Sequence, residues 1–196
     1  MLAVIKRLWK YGLGTANPQH LALSPEEAAV FAETAQKHMA AQSSAALSEL
    51  RERLPKAIKK AFGRSLHVRH VDTGSCNGAE WELAAMLNPV YDVQRFGIDF
   101  VASPRHADML LVTGGVTRNL EEALRKTYAA TPSPKLVVAV GSSACGDDLI
   151  GETYANLGGV DRIIPVDVYV PGDPPSPREI LHGILTAVEK TEKLRK

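Results

Sequence analysis

Four short loops hold the residues whose types and spacing could do chemistry. They are Thr73-Gly74-Ser75-Cys76-Asn77-Gly78, Thr113-Gly114-Gly115-Val116-Thr117, Gly141-Ser142-Ser143-Ala144-Cys145-Gly146 and Pro171-Gly172-Asp173-Pro174-Pro175-Ser176-Pro177. Each is rich in glycine and small residues, which let a backbone approach a bulky ligand closely. Two ligand classes suit such loops. One is a phosphate or flavin held by backbone N–H groups at a helix start. The other is an iron–sulfur cluster held by cysteines from several loops. The plainer reading is that tight turns of an α/β domain use these residues anyway, because loop glycines alone are weak evidence of a ligand. A third chemistry is nucleophilic: Cys76 stands where a helix would begin, and a helix N-terminus stabilises a thiolate. His70 and His106 exist as bases for it, but no spacing brings either one close.

The elements that must position these loops follow from apolar patterning. From Leu66 onward short apolar runs alternate with helical segments. Leu66–Val71, Met109–Thr113 and Leu136–Val140 read as strands, and Ile163–Val170 as extended. Tyr91–Phe96 and Ile98–Ala102 read as extended or mixed. Glu80–Leu87, Asn119–Ala130 and Arg178–Glu189 read as helices. Apolar strands alternating with helices imply a parallel sheet covered on both faces, an α/β fold. Ligands of such sheets sit beyond the carboxyl ends of the strands. The four loops follow those ends, so they are expected at one edge.

Residues 1–63 read as an N-terminal helical extension and residues 64–196 as the α/β domain. Residues 1–14 place Leu2, Ile5, Leu8 and Trp9 on one helical face, with Lys6, Arg7 and Lys10 elsewhere. So short a helix needs something to lie on: a partner or membrane surface is expected, ahead of the plainer reading that it folds onto its own domain. Ser24-Pro25-Glu26-Glu27 is a capping-box start. An Ala-rich stretch follows to about Gln42, then an apolar face of Leu47, Leu50, Leu54, Ile58 and Phe62. The two stretches read as a helical hairpin, with Pro55 expected to kink or restart the second arm.

Composition bounds the function. The chain has 196 residues, with 45% hydrophobic and 23% charged residues, as expected of one globular domain with an appendage. A net charge of +1 gives no general pull toward nucleic acid or an anionic surface. No apolar run approaches the roughly 20 residues that cross a bilayer. Two cysteines make no disulfide framework, and six histidines show no zinc-ligand spacing with them.

Several of these motifs, in order, carry a resemblance. G-S-C-N-G-A-E-W-E-L, Y-D-V-Q-R-F-G-I, S-P-R-H-A-D-M-L-L-V-T-G-G-V-T-R-N and G-V-D-R-I-I-P-V-D-V-Y-V-P-G-D-P-P-S-P span about Leu66 to Glu189. Together they resemble the small subunit of energy-converting, membrane-bound nickel–iron hydrogenases and the homologous B-type subunit of respiratory complex I. The flavour is that of hydrogenase-4 and formate-hydrogenlyase-type complexes. The resemblance implies a flavodoxin-like domain binding one 4Fe-4S cluster. It implies an oxidoreductase subunit that is not catalytic alone and passes electrons between a ferredoxin-like iron–sulfur subunit and a catalytic large subunit. Membrane subunits would complete the complex, peripheral on the cytoplasmic face of the inner membrane, with no nucleic-acid partner.

The same resemblance exposes a departure. The hydrogenase-like pattern takes ligands from C-x-x-C, from G-x-C-A and from P-G-C-P-P. Cys76 matches the first. Ala79 stands at the second, Ser143 at the third and Asp173 at the fourth. Cys145 lies two residues past the third position, where the family has a non-ligand; shifted into the pocket it would bring the thiolates to two. A 4Fe-4S cluster normally takes four thiolates, and oxygen donors are poorer substitutes. A stable cluster is therefore not expected, and a redox-silent structural or binding subunit is the alternative to an electron carrier. Glu82 matches a retained acidic position, and Arg105 and His106 fall in a region that lies near the cluster and large subunit in the family. All three are expected to face a partner, or else to be ordinary surface and capping residues. Trp81 is larger than the residues common at its position. It is expected either to fill space a cluster vacated or to make a surface contact.

Overall fold

A computed structural model describes residues 44–147 and 151–194; the expected N-terminal segment 1–14 and the first arm of the hairpin lie outside them. The chain divides into two units, Met1–Glu49 and Leu50–Lys196, and the second carries the sheet. Its elements, in order, are helix α1 (Ser44–Phe62), which begins in the first unit, β1 (Leu66–Asp72), α2 (Gly78–Ala85), β2 (Ile98–Phe100), β3 (Met109–Thr113), α3 (Arg118–Ala130), β4 (Leu136–Val140), β5 (Val168–Val170) and α4 (Pro177–Leu194). Short 3-10 turns at Val93–Phe96, Pro104–His106 and Val160–Arg162 link them. The expected strand over 163–170 is shorter, because Ile163 and Ile164 close a turn onto the Val160 carbonyl before β5 begins.

All strand pairs are parallel, in the order β2-β1-β3-β4-β5. That is the flavodoxin-like order, whose switch point lies between β1 and β3. β3 and β4 are buried at every position. Their alternate side chains enter two separate cores. Met109, Leu111, Val138 and Val140 join α1, α2 and α4 on one face. Leu110, Val112, Val137 and Ala139 join Leu124 of α3 on the other.

α1 runs through Pro55 as one continuous helix, so the proline does not restart it. A proline inside a helix removes one backbone hydrogen bond. Here Leu50, Leu54, Ile58 and Ala61 are buried in the sheet core and hold the turns on either side. Ile184 of α4 is 0% exposed in that core. Ile184→Ala is expected to destabilise the domain by about 2–5 kcal/mol, read as a lowered denaturation midpoint with an unchanged slope.

Candidate functional site

The strand-pairing register brings the carboxyl ends of β1, β3, β4 and β5 into line: Asp72 pairs with Thr113, Thr113 with Val140, and Val140 with Val170. The four small-residue loops therefore emerge at one edge, as expected.

Hydrogen bonds lock these loops together. The Thr73 hydroxyl donates to the carbonyls of Thr113 and Gly114, at 2.8 and 2.9 Å. The Asp72 carboxylate accepts the N–H groups of Gly74 and Ser75, which turns the chain back toward α2. The Ser75 hydroxyl accepts the N–H of Asn77 and donates to the Glu80 carboxylate. Asn77, at φ 71°, then leads into the helix. Across the edge, Ser142 donates both its N–H and its hydroxyl to the Gly172 carbonyl.

The loops that carry the positions matched to ligands by resemblance approach one another here. A Cβ added at Gly78 would lie 3.6 Å from Cys76 Sγ and 3.6 Å from Pro174 Cβ. One added at Gly141 would lie 3.7 Å from Ala79 Cβ and 3.8 Å from the Gly172 oxygen. The Cys76 turn, the Ala79 methyl, the turn after β4 and the Gly172-Asp173-Pro174 loop thus lie side by side at this edge. Cys76 and Asp173 are exposed, Ser143 half-buried, and Ala79 buried in the core that contains α4.

Cys145 does not join them. It packs against the opposite core, with Leu110, Val112 and Val160, and its thiol lies 3.8 Å from the Ala139 carbonyl. Ala79 belongs to the other face of the sheet. The four positions that the resemblance assigns to ligands carry one thiol, one methyl, one hydroxyl and one carboxylate in this chain. As a donor set this does not fit a 4Fe-4S cluster, which wants four thiolates. Among the described residues no three of His, Cys, Asp and Glu gather as a metal-binding group.

Other expected residues fall elsewhere. Trp81 is 71% exposed, so it does not fill the space beside Ala79. It lies on α2, with exposed Leu87 and Val90 in the turn beyond. Glu82 is half-buried on the same helix. Arg105 and His106 precede β3, at the opposite edge of the parallel sheet, and do not meet the loops. That edge is tied by Arg64, whose guanidinium pairs with Asp108 through contacts of 2.7 and 2.8 Å.

His70 is engaged with the end of β3 and with α2. Its Nε2 lies 2.9 Å from the Thr113 hydroxyl and 3.7 Å from Glu80 Oε1. Glu80 itself was not singled out by sequence. Its one signal was a carboxylate in the first turn of a helix following Ser75. Burial holds the His70 pKa below the ordinary 6.5, and it outweighs the raising pull of Glu80 and Asp72; Arg69 adds to the lowering. The native state thus binds fewer protons than the unfolded chain in that range, so His70's contribution to stability is present above pH 6.5 and is lost as pH falls through its folded pKa. Thermal unfolding from neutral pH downward is expected to show this loss in the native chain and less of it in His70→Gln.

Comparison with known proteins agrees with this fold. The chain is 50% identical over 149 residues to a probable membrane-bound hydrogenase subunit, mbhJ, of Pyrococcus furiosus, covering 74% of this chain and 89% of that one. It is 42% identical over 137 residues to formate hydrogenlyase subunit 7 of Escherichia coli, covering 70% of this chain and 54% of that one. Among solved structures, a chain of the membrane-bound sulfane sulfur reductase, an archaeal respiratory membrane complex, matches with a TM-score of 0.61 and 32% identity, over 71% of this chain and 76% of that one. Residues 76–187 match the sequence model of the NADH ubiquinone oxidoreductase 20 kDa subunit, and the chain belongs to that family.

Proposed function

We propose that this chain is the small subunit of a membrane-bound hydrogenase-like or complex-I-like complex, and that its cluster position no longer carries electrons. The observation that carries this reading is the Ala79 methyl, buried among the converging loops where the family pattern places a cysteine. A methyl cannot ligate iron. Ser143 and Asp173 offer oxygen in place of sulfur at two further positions. Because electron tunnelling falls steeply with distance, a relay missing this position would not be bridged by its neighbours. The role that remains is structural: a flavodoxin-like domain that holds a large subunit and an iron–sulfur subunit against the membrane part of the complex. Among the described residues no helix is long and apolar enough to cross a membrane.

Trp81 on α2 and Leu87 and Val90 in the turn beyond it are large apolar side chains left exposed, as contact with a protein partner would use. Trp81→Asp is expected to change the chain's own stability by no more than about 0.5 kcal/mol, yet to reduce recovery of the complex several-fold. The reading itself is tested by affinity purification of the tagged chain from detergent-solubilised membranes of its own source. The expected result is a stoichiometric large subunit of the nickel–iron hydrogenase or complex I type. Recovery of the chain alone, at every detergent and salt condition that keeps other membrane complexes intact, would overturn it.

A further inference from the structure

Beside the vacated position lies a polar cluster that electron transfer does not require. Glu80 projects from the first turn of α2 back toward β1 and β3. Its Oε2 accepts the Ser75 hydroxyl, while its Oε1 is buried and has no hydrogen-bond partner. A buried carboxylate oxygen left without a donor costs free energy, and native structures rarely keep one without a reason. On the strand side of that oxygen His70 Nε2 lies 3.7 Å away, already engaged with the Thr113 hydroxyl at 2.9 Å. His70 is half-buried, and its side chain keeps 30% exposure, so protons can reach it.

We infer that His70 and Glu80 form a proton-binding site coupled to the turn that carries Cys76. The coupling runs through Ser75. With His70 neutral, Nε2 and the Thr113 hydroxyl share one hydrogen bond, and the Glu80 carboxylate is held on its other side by Ser75. The same Ser75 hydroxyl accepts the Asn77 N–H, at 2.8 Å, so it fixes the left-handed residue before α2. When a proton from solvent binds His70, the imidazolium gains a second N–H and Nε2 must donate. The orphan Oε1 is the acceptor with the larger charge. Movement of Glu80 toward it loosens the carboxylate's hold on Ser75 and, through Ser75, on Asn77. No electron moves in this step, and the proton released on deprotonation returns to solvent.

The groups that act on His70 are Glu80 on α2, which favours its charged form, and Asp72 and Arg69 on its own strand, which oppose one another; β3 contributes the neutral Thr113 hydroxyl. Removing the Glu80 charge therefore makes His70 harder to protonate. The site asks nothing of a cluster, so it stands or falls separately from the proposed function.

The test is nuclear magnetic resonance of the full chain between pH 4.5 and 8, following the His70 ring nitrogens and the amides of Ser75, Cys76 and Asn77. The expected result is one titration shared by His70 and the three amides, with a midpoint below the free-histidine value. Glu80→Gln is expected to move that midpoint lower still. His70→Gln is expected to leave the three amides without a titration in that range. A His70 titration with flat amides would overturn the coupling. An unchanged or higher midpoint in Glu80→Gln would overturn the pair. Should Glu80→Gln fail to fold, His70→Gln decides alone: amides that still titrate in it contradict the proposal.

Discussion

Gly114→Ala is expected to be among the most damaging single substitutions in the domain. Gly114 follows β3 at the switch point, in the left-handed region at φ +79°. An added Cβ would lie 2.4 Å from the Ser75 nitrogen and 2.7 Å from the Ser75 Cα. Both are backbone atoms of the turn that Asp72 and Thr73 pin to β3, so they cannot step aside without breaking it. Left-handed strain of about 1–2 kcal/mol adds to overpacking of about 1–3 kcal/mol, for a loss of roughly 3 kcal/mol or more. The melting temperature should fall by roughly 10 °C. Gly63 is the control. It has a similar φ of +70°, but an added Cβ there meets nothing within 4 Å. Gly63→Ala should cost only the conformational strain, about 1 kcal/mol. Equal losses in the two variants would mean that the close approach of the β1 and β3 loops is not what shapes the edge.

The second large effect is a gain. If the space between the loops is the remnant of a cluster site, returning sulfur to it should return iron. The triple variant Ala79→Cys, Ser143→Cys, Asp173→Cys, reconstituted with iron and sulfide without oxygen, is expected to hold about four irons per chain and to develop the broad visible absorption of a 4Fe-4S centre. Cys76 supplies the fourth thiolate, so adding Cys76→Ser to the triple variant should abolish most of the gain. Cys145 should be dispensable, because it packs in the other core. A triple variant that folds and binds no more iron than the native chain would show that the loops no longer enclose a cluster-sized space.

Much of this was legible in sequence. β3 and β4 announced themselves as apolar runs bounded by glycine, because strands buried on both faces carry no alternation to confuse the reading. Parallel pairing then required the loops after β1, β3, β4 and β5 to meet at one edge, and they do. Three features escaped. The direction of Trp81 depends on how α2 rotates about its axis, and both choices were compatible with its neighbours in sequence; the structure turns it to solvent. The loop after β4 places Cys145 beneath the opposite face from Ala79, which no spacing rule distinguishes. The His70–Glu80 pair arises only because α2 folds back over the end of β1, a tertiary event invisible to local pattern. The edge occupied by Arg105 and His106, by contrast, follows from their position ahead of a parallel strand.

The most direct measurement of the central claim is iron and acid-labile sulfide per chain in the native protein, purified without oxygen, together with a low-temperature paramagnetic resonance spectrum after reduction. The account predicts iron far below stoichiometry and no cluster signal from this subunit, in a chain that remains folded and bound to its partners. About four irons per chain with a reduced-cluster signal would contradict it, and would make Ser143 and Asp173, with Cys76, working ligands of an unusual relay.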